Sequence, residues 1–235
     1  MVLKQTKFIK TNRYIFEDYL KAGINRLSIG IQSFFEEDLK LMNRNHSAEH
    51  SKDCVRKAQD YGFNNLSIDL IYGVPGRDEV HWEKQLEQAL ALKVSHISAY
   101  ALTIEKETML ENWIRKGKVP PVDERVAERN FYFLEKILKK AGYAHYEVSN
   151  FATAGHKAKH NTSYWNGEPY LGIGPSAHSF NGDSRQWNIS NNQLYMKSIE
   201  AEELNFEKEI LSTGEVFNEY VMTGLRQMEG ISIAK

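Results

Sequence analysis

One cysteine in 235 residues excludes an intrachain disulfide, and it excludes any zinc or iron–sulfur site built from several thiolates of this chain. No apolar run approaches the roughly 20 residues that cross a bilayer, and the start, MVLKQTKFIKTNRYIF, has no apolar core of a secretion signal. A net charge of −1 leaves no basic face for nucleic acid, and composition does not reveal whether the chain touches a membrane peripherally. These absences point to a cytoplasmic protein. Also missing are HExxH, CxxC, GxSxG, a dinucleotide-type GxGxxG after a strand and a GxxxxGK[ST] loop. Zinc protease, zinc ribbon, α/β-hydrolase, dinucleotide-binding and P-loop chemistries therefore have no footing.

What is present is an ordinary globular composition, 41% hydrophobic and 26% charged. Four segments repeat one unit of helix, turn and β-rich run: YLKAGINRLSIGIQSF, KAQDYGFNNLSIDLIYGVPG, ALALKVSHISAYALTIE and LKKAGYAHYEVSNF. Gly23, Gly62 and Gly142 stand where such helices end and the backbone turns with positive φ. The strands expected after the turns are Leu27–Ile31, Leu66–Ile71, Ile97–Leu102 and His145–Ser149. Short strands alternating with longer helices predict βα units around a parallel sheet, and the lack of nucleotide-loop motifs favours a whole or partial barrel over an open sheet. Asp123 is placed to cap a long helix over 124–140. Residues 1–150 read as this barrel domain. Residues 151–235 read as a loop-dominated region that passes into a helix carrying Val221, Leu225 and Met228 on one face. The last residues, GISIAK, bring no closing element, so a domain that continues beyond them is expected.

In parallel α/β folds chemistry gathers at the strand ends, where Gln32, Asp69, Tyr100, Glu147 and Asn150 stand. Asp69, flanked by Ile68 and Leu70, reads either as a satisfied structural acid or as a ligand contact. Cys54 falls with Val55 and Ala58 on one apolar helical face and reads as a core thiol. Gly172 and Gly174 read as tight turns, and YGVPGR (72–77) as a turn. The segment HNTSYW (160–165) joins a histidine to two aromatic rings outside any clear periodic pattern. His160 reads as a structural histidine, a general acid or base, or an axial ligand to a planar cofactor walled by Tyr164 and Trp165. The residues by themselves leave these three roles open.

Taken in order, GINRLSIGIQSF, LMNRNHS, NLSIDLIYGVPG, HISAYALTIE, YEVSNFA, HNTSYW and YLGIGPSAHSF resemble the oxygen-independent coproporphyrinogen oxidase-like family of radical S-adenosylmethionine (SAM) proteins. HNTSYW, as an HNxxYW motif, resembles its haem chaperone branch, HemW. The resemblance implies a partial (β/α)6 radical SAM-type barrel, incomplete at its N-terminus, followed by an extra loop and helix region. It implies SAM contacts at Gln32, Arg44, Asp69 and Ala101. It implies haem contacts at His160, Asn161, Tyr164 and Trp165, with His160 as the iron ligand and haem delivered to acceptor haemoproteins. A [4Fe–4S] cluster belongs to the family's CxxxCxxC motif, which this sequence lacks; the leader ahead of Tyr14 looks unrelated, and radical chemistry is not expected of this chain by itself. The alternative reading is an oxygen-independent coproporphyrinogen III oxidase, which decarboxylates propionate side chains.

Overall fold

Alternation of polar and aliphatic residues shapes the first part of the chain. In RLSIG, NLSID and HISA every second side chain is apolar, so each segment can bury one side against helices only as a strand. The computed structural model describes residues 2–5 and 14–232. In it the chain forms β1 (Val2–Gln5), α1 (Tyr14–Lys21), β2 (Arg26–Gln32), α2 (Glu36–Leu41), α3 (Ala48–Asp60), β3 (Asn65–Tyr72), α4 (Glu79–Ala91), β4 (His96–Ala101), α5 (Met109–Arg115), α6 (Glu124–Lys140), β5 (Ala144–Glu147) and β6 (Asn150–Ala152). The six strands make one sheet in the order β1-β2-β3-β4-β6-β5. Pairing is parallel from β1 to β4, as helical crossovers require.

The aliphatic side carries the core. Leu27, Ile29 and Ile31 of β2, Leu66, Ile68 and Leu70 of β3, and Ile97 and Ala99 of β4 cluster with Val55 and Ala58 of α3, Leu86 and Ala89 of α4, and Leu134 and Leu138 of α6. Cys54 belongs to the same cluster, and burial pushes its thiol up to about 11, so it is an inert core group as its position in the helix predicts. Gly23, Gly62 and Gly142 hold φ of 77°, 94° and 87°, and the Asp123 carboxylate accepts from the Arg125 N–H at the start of α6.

Several expectations are corrected. The fourth unit does not end in one more parallel strand: Val148 and Ser149 turn the chain back, and β6 pairs antiparallel with both β4 and β5. The leader contributes Val2–Gln5 as a strand paired with β2, and its residues 6–13 lie outside the described residues. Residues 151–192 hold more regular structure than their weak periodicity suggests. The chain divides into two compact units, Met1–Lys157 and Ala158–Lys235. The second contains α7 (Lys159–Trp165), β7 (His178–Phe180), β8 (Ser184–Asn188), α8 (Asn192–Glu200), β9 (Phe206–Ile210) and α9 (Thr213–Gly224), with β7-β8-β9 as an antiparallel sheet. HNTSYW is therefore helical. The last helix stops before Leu225 and Met228, which are exposed, while the covered side of α9 carries Gly224. Gly172 is a packing requirement, since a Cβ there would stand 2.1 Å from the His178 carbonyl oxygen.

One buried polar knot ties the loop after β2 to α4. The Asp38 carboxylate, with no exposed surface, accepts from Ser33 Oγ at 2.8 Å and Arg77 Nε at 2.7 Å, and lies 2.7 Å from His81 Nε2. Gln85 donates to Ser33 Oγ and accepts from the Phe34 N–H. Removing the acid leaves Arg77, Ser33 and His81 without this acceptor, a situation that typically costs 3–5 kcal/mol. Asp38→Ala is expected to lower the urea-unfolding free energy of the chain by about 3 kcal/mol, against about 1 kcal/mol for Asp38→Asn. Equal losses from both variants would show that the retained amide oxygen contributes nothing without the charge.

Candidate functional site

The other side of the first sheet is polar and yet buried. Register places Gly30, Asp69, Ser98 and Asn150 side by side across β2, β3, β4 and β6, with a second row of Ser28, Ser67 and His96 beneath it. Asp69, Ser98 and Asn150 are 9%, 4% and 3% exposed. Parallel strands buried on both sides are ordinarily aliphatic throughout, so a polar inner surface is specific to this sheet. Its groups are mostly satisfied. Ser67 Oγ lies 2.7 Å from His96 Nδ1, and Tyr146 Oη lies 2.7 Å from His96 Nε2. Arg26 donates to Asn65 Oδ1 at 2.5 Å, and Ser28 Oγ donates to Asp69 Oδ1 at 3.4 Å. Asn150 Oδ1 is buried with no hydrogen-bond partner among the described residues, so a donor of a bound ligand would complete it.

The rim of this surface holds the residues singled out in the sequence. Gln32 ends β2 at an irregularity in the pairing with β3, and its φ of 67° turns its side chain back over the strand. A Cβ on Gly30 would stand 2.7 Å from Gln32 Nε2 and 3.9 Å from Asp69 Oδ2, so the missing side chain lets amide and carboxylate share one spot. Arg44 is exposed in the loop between α2 and α3. That loop is fastened to the end of β2 by His46, whose Nε2 lies 3.1 Å from the Ile31 carbonyl oxygen. Ala101 is the exposed last residue of β4, paired with Tyr72, and has the strand parity of Ile97 rather than of Asp69. Gln32 and Asp69 are thus brought together, and Arg44 and Ala101 stand at the same C-terminal end of the strands. An acid, an amide and hydroxyls suit the hydroxyl and amino groups of a nucleoside-type ligand. The residues do not fit a [4Fe–4S] cluster: Cys54 lies in the core on the opposite side of the sheet, and no group of three or more metal-ligating side chains occurs among the described residues.

In the second unit, His160 and Tyr164 lie one turn apart on α7, with His160 Nε2 3.1 Å from Tyr164 Oη and the rings edge to face at 4.9 Å. Tyr164 in turn meets Tyr170 at 4.7 Å, and Tyr170 meets Phe180 at 6.1 Å. Tyr164, Tyr170 and Phe180, with Trp165 and Tyr220, wall a cleft of about 620 Å³, within the range of small-molecule sites. His160 is exposed and stands behind Tyr164 rather than in the lining, and Asn161 is half-buried outside it. An exposed imidazole and a broad aromatic cleft are compatible with a planar macrocycle and an iron ligand.

Several of these residues carry weak or no local signal in the sequence. Arg26, Ser67, His96 and Tyr146 were detectable as the alternate members of the strand patterns, had the polar positions been counted as well as the apolar ones. Tyr170, Phe180, Arg185 and Glu219 converge on the cleft from separate elements and leave no local signal.

Comparison with known proteins gives the family. The Radical SAM superfamily matches residues 5–89. The chain is 35% identical over 215 residues to a heme chaperone HemW of Lactococcus lactis, covering 91% of this chain and 56% of that protein. It is 35% identical over 214 residues to the Bacillus subtilis protein of the same name, covering 90% and 56%. A radical S-adenosyl methionine domain-containing protein 1 of Danio rerio is 32% identical, covering 92% and 51%. The chain thus spans about half the length of these relatives. Among solved structures, the coproporphyrinogen III oxidase HemN of Escherichia coli superposes with a TM-score of 0.76 at 19% identity, over 96% of this chain and 54% of that one, a likeness of fold. The sheet of βα units is the partial barrel of a radical SAM protein. The chain belongs to that superfamily and is HemW-like within it.

The buried imidazole makes the first unit sensitive to acid. Burial first, then the nearby Arg26 and His156, lower the His96 pKa to about 3. In the unfolded chain the ring takes its proton near pH 6.5, so the unfolded state binds more protons between these values and stability falls as pH drops through that window. Wild-type stability is expected to decline by up to about 1.4 kcal/mol per pH unit below pH 6.5 on account of this group. His96→Gln is expected to flatten that slope; urea titrations at pH 7, 6 and 5 with an unchanged slope in the variant would remove His96 as the cause.

Proposed function

We propose that this chain is the SAM- and haem-binding part of a cytoplasmic haem chaperone, which holds haem and passes it to acceptor haemoproteins. The observation that carries the reading is the α7 cleft, where Tyr164 and Trp165 of HNTSYW form one wall and His160 stands exposed one turn earlier. The relatives named HemW support it, and the aromatic lining suits a flat macrocycle. His160 is the candidate iron ligand. Its Nε2 must then leave the Tyr164 hydroxyl, which remains free to donate elsewhere in the cleft. Trp165 supplies ring surface, and Asn161 lies on the same helix.

SAM is assigned to the rim of the first unit. There Asp69 would accept from ribose or amino groups, Gln32 would both donate and accept, Arg44 would pair with the methionyl carboxylate, and Ala101 would leave space for the adenine. The [4Fe–4S] cluster of the family finds no ligands in this chain, and no step is assigned to it. Oxidation of coproporphyrinogen has only the shared fold of HemN in its favour, at an identity that speaks for fold alone.

Haemin added to the 235-residue chain is expected to give a shifted Soret band that His160→Ala weakens and moves; identical spectra for both proteins remove His160 as the ligand. SAM binding can be followed separately by equilibrium dialysis. Asp69→Asn and Gly30→Ala are each expected to weaken it about tenfold, the second by displacing the Gln32 amide, with circular dichroism unchanged. Retained affinity in both variants places the nucleoside elsewhere.

A further inference from the structure

The aromatic cleft of the second unit contains an ion pair that its walls do not need. Among the described residues that line it, Arg185 and Glu219 carry the charge, and they face each other with Arg185 Nη2 2.6 Å from Glu219 Oε2. Arg185 comes from β8, the central strand of the small sheet, and its guanidinium sits 5.7 Å above the Phe180 ring, which fixes it against the cleft wall. Glu219 comes from α9, a helix otherwise largely exposed. The two side chains are 36% and 24% exposed, so the pair lies at the mouth of the cleft, where a carboxylate can exchange with another from solution. Trp165, another residue of the lining, has a buried indole N–H with no acceptor among the described residues.

We propose that Arg185 is the anchor for a carboxylate of the flat ligand that enters this cleft, and that Glu219 is the internal carboxylate that occupies the anchor until the ligand arrives. The proposal rests on the haem-binding reading, and it specifies the ligand's chemical class as an anionic macrocycle bearing free carboxyl groups. A planar guanidinium suits a carboxylate because it can form two parallel N–H···O bonds, and an aromatic wall beside it accommodates the ring that carries the acid. Exchange replaces one charge-assisted pair by another at nearly constant bond count. It leaves the displaced Glu219 carboxylate close to the incoming one, so the glutamate opposes binding by repulsion while it keeps the arginine oriented. The two members of the pair should therefore affect ligand affinity with opposite signs, which a pair serving only as a structural strut cannot do.

The test is a titration of the full chain with haemin and with haemin dimethyl ester, read from the Soret band. The wild type is expected to bind the free acid about tenfold more tightly than the ester; Arg185→Leu removes the preference, and Glu219→Gln strengthens free-acid binding several-fold with little change for the ester. Equal affinity of the wild type for both compounds overturns the anchor while leaving the haem reading intact. Weaker free-acid binding in Glu219→Gln also overturns it, by identifying the ion pair as a strut. No Soret shift with either compound in any variant defeats the haem reading itself, and the anchor with it. If Arg185→Leu fails to fold, the sign of the Glu219→Gln effect decides alone.

Discussion

The constraint on which the first unit depends is the register of three parallel strands. Gly30, Asp69 and Ser98 share a row only because β2, β3 and β4 pair as they do. A slip of one residue in any of them would turn Ile29, Ile68 or Ile97 toward the polar side and expel Asp69 or Ser98 into the core. That core enforces the register: Leu27, Ile29, Leu66, Ile68, Leu70 and Ile97 are buried against α3, α4 and α6, and exposing them would forfeit roughly 1.5–3 kcal/mol apiece. Packing on one side of the sheet thereby positions chemistry on the other.

Burial of that polar side is expensive unless each group finds a partner, and the structure shows how it does. His96 lies between two hydroxyls, Arg26 reaches Asn65, and Asp69 takes the Ser28 hydroxyl. Rigidity follows, since satisfied groups in a low-dielectric interior have few alternatives. The rim differs in kind. Gln32 sits at a pairing irregularity in a left-handed backbone conformation, and Arg44 is carried by a loop held to β2 through His46. The Asp38 knot holds the segment immediately after Gln32 from the outside. The first sheet thus has a hydrogen-bonded polar floor and a less regular edge.

The second unit works on another principle. Its cleft is made of ring faces from short elements, and its charge is a single exposed-edge pair rather than a buried network. Aromatic side chains with few rotatable bonds give a wall that is ordered at small entropic cost, and the three-stranded sheet holds Phe180 and Arg185 at fixed spacing. Binding there would be governed by stacking and by exchange of carboxylates.

How much of this was legible before the fold is clear from individual residues. The helix bounded by Asp123 and Gly142, the core position of Cys54 and the strands through Ile29, Ile68 and Ile97 follow from capping, helical spacing and alternation, which act over a few residues and need no tertiary partner. The β5–β6 turn is hard to see locally because the β-formers Tyr146, Val148 and Phe151 run through both sides of it, and pairing with β4 decides where the chain reverses. HNTSYW shows no periodic pattern although it forms α7, since a seven-residue helix gives too short a window for periodicity. The sequence by itself determined the elements, the core side of each and the family to which they belong, because those depend on local spacing and motif order. Tertiary structure alone decided that Gln32 and Asp69 meet over Gly30, and that Arg185 and Glu219 face each other across a cleft shared with Trp165, because these contacts join elements that only pairing and packing bring within bonding distance.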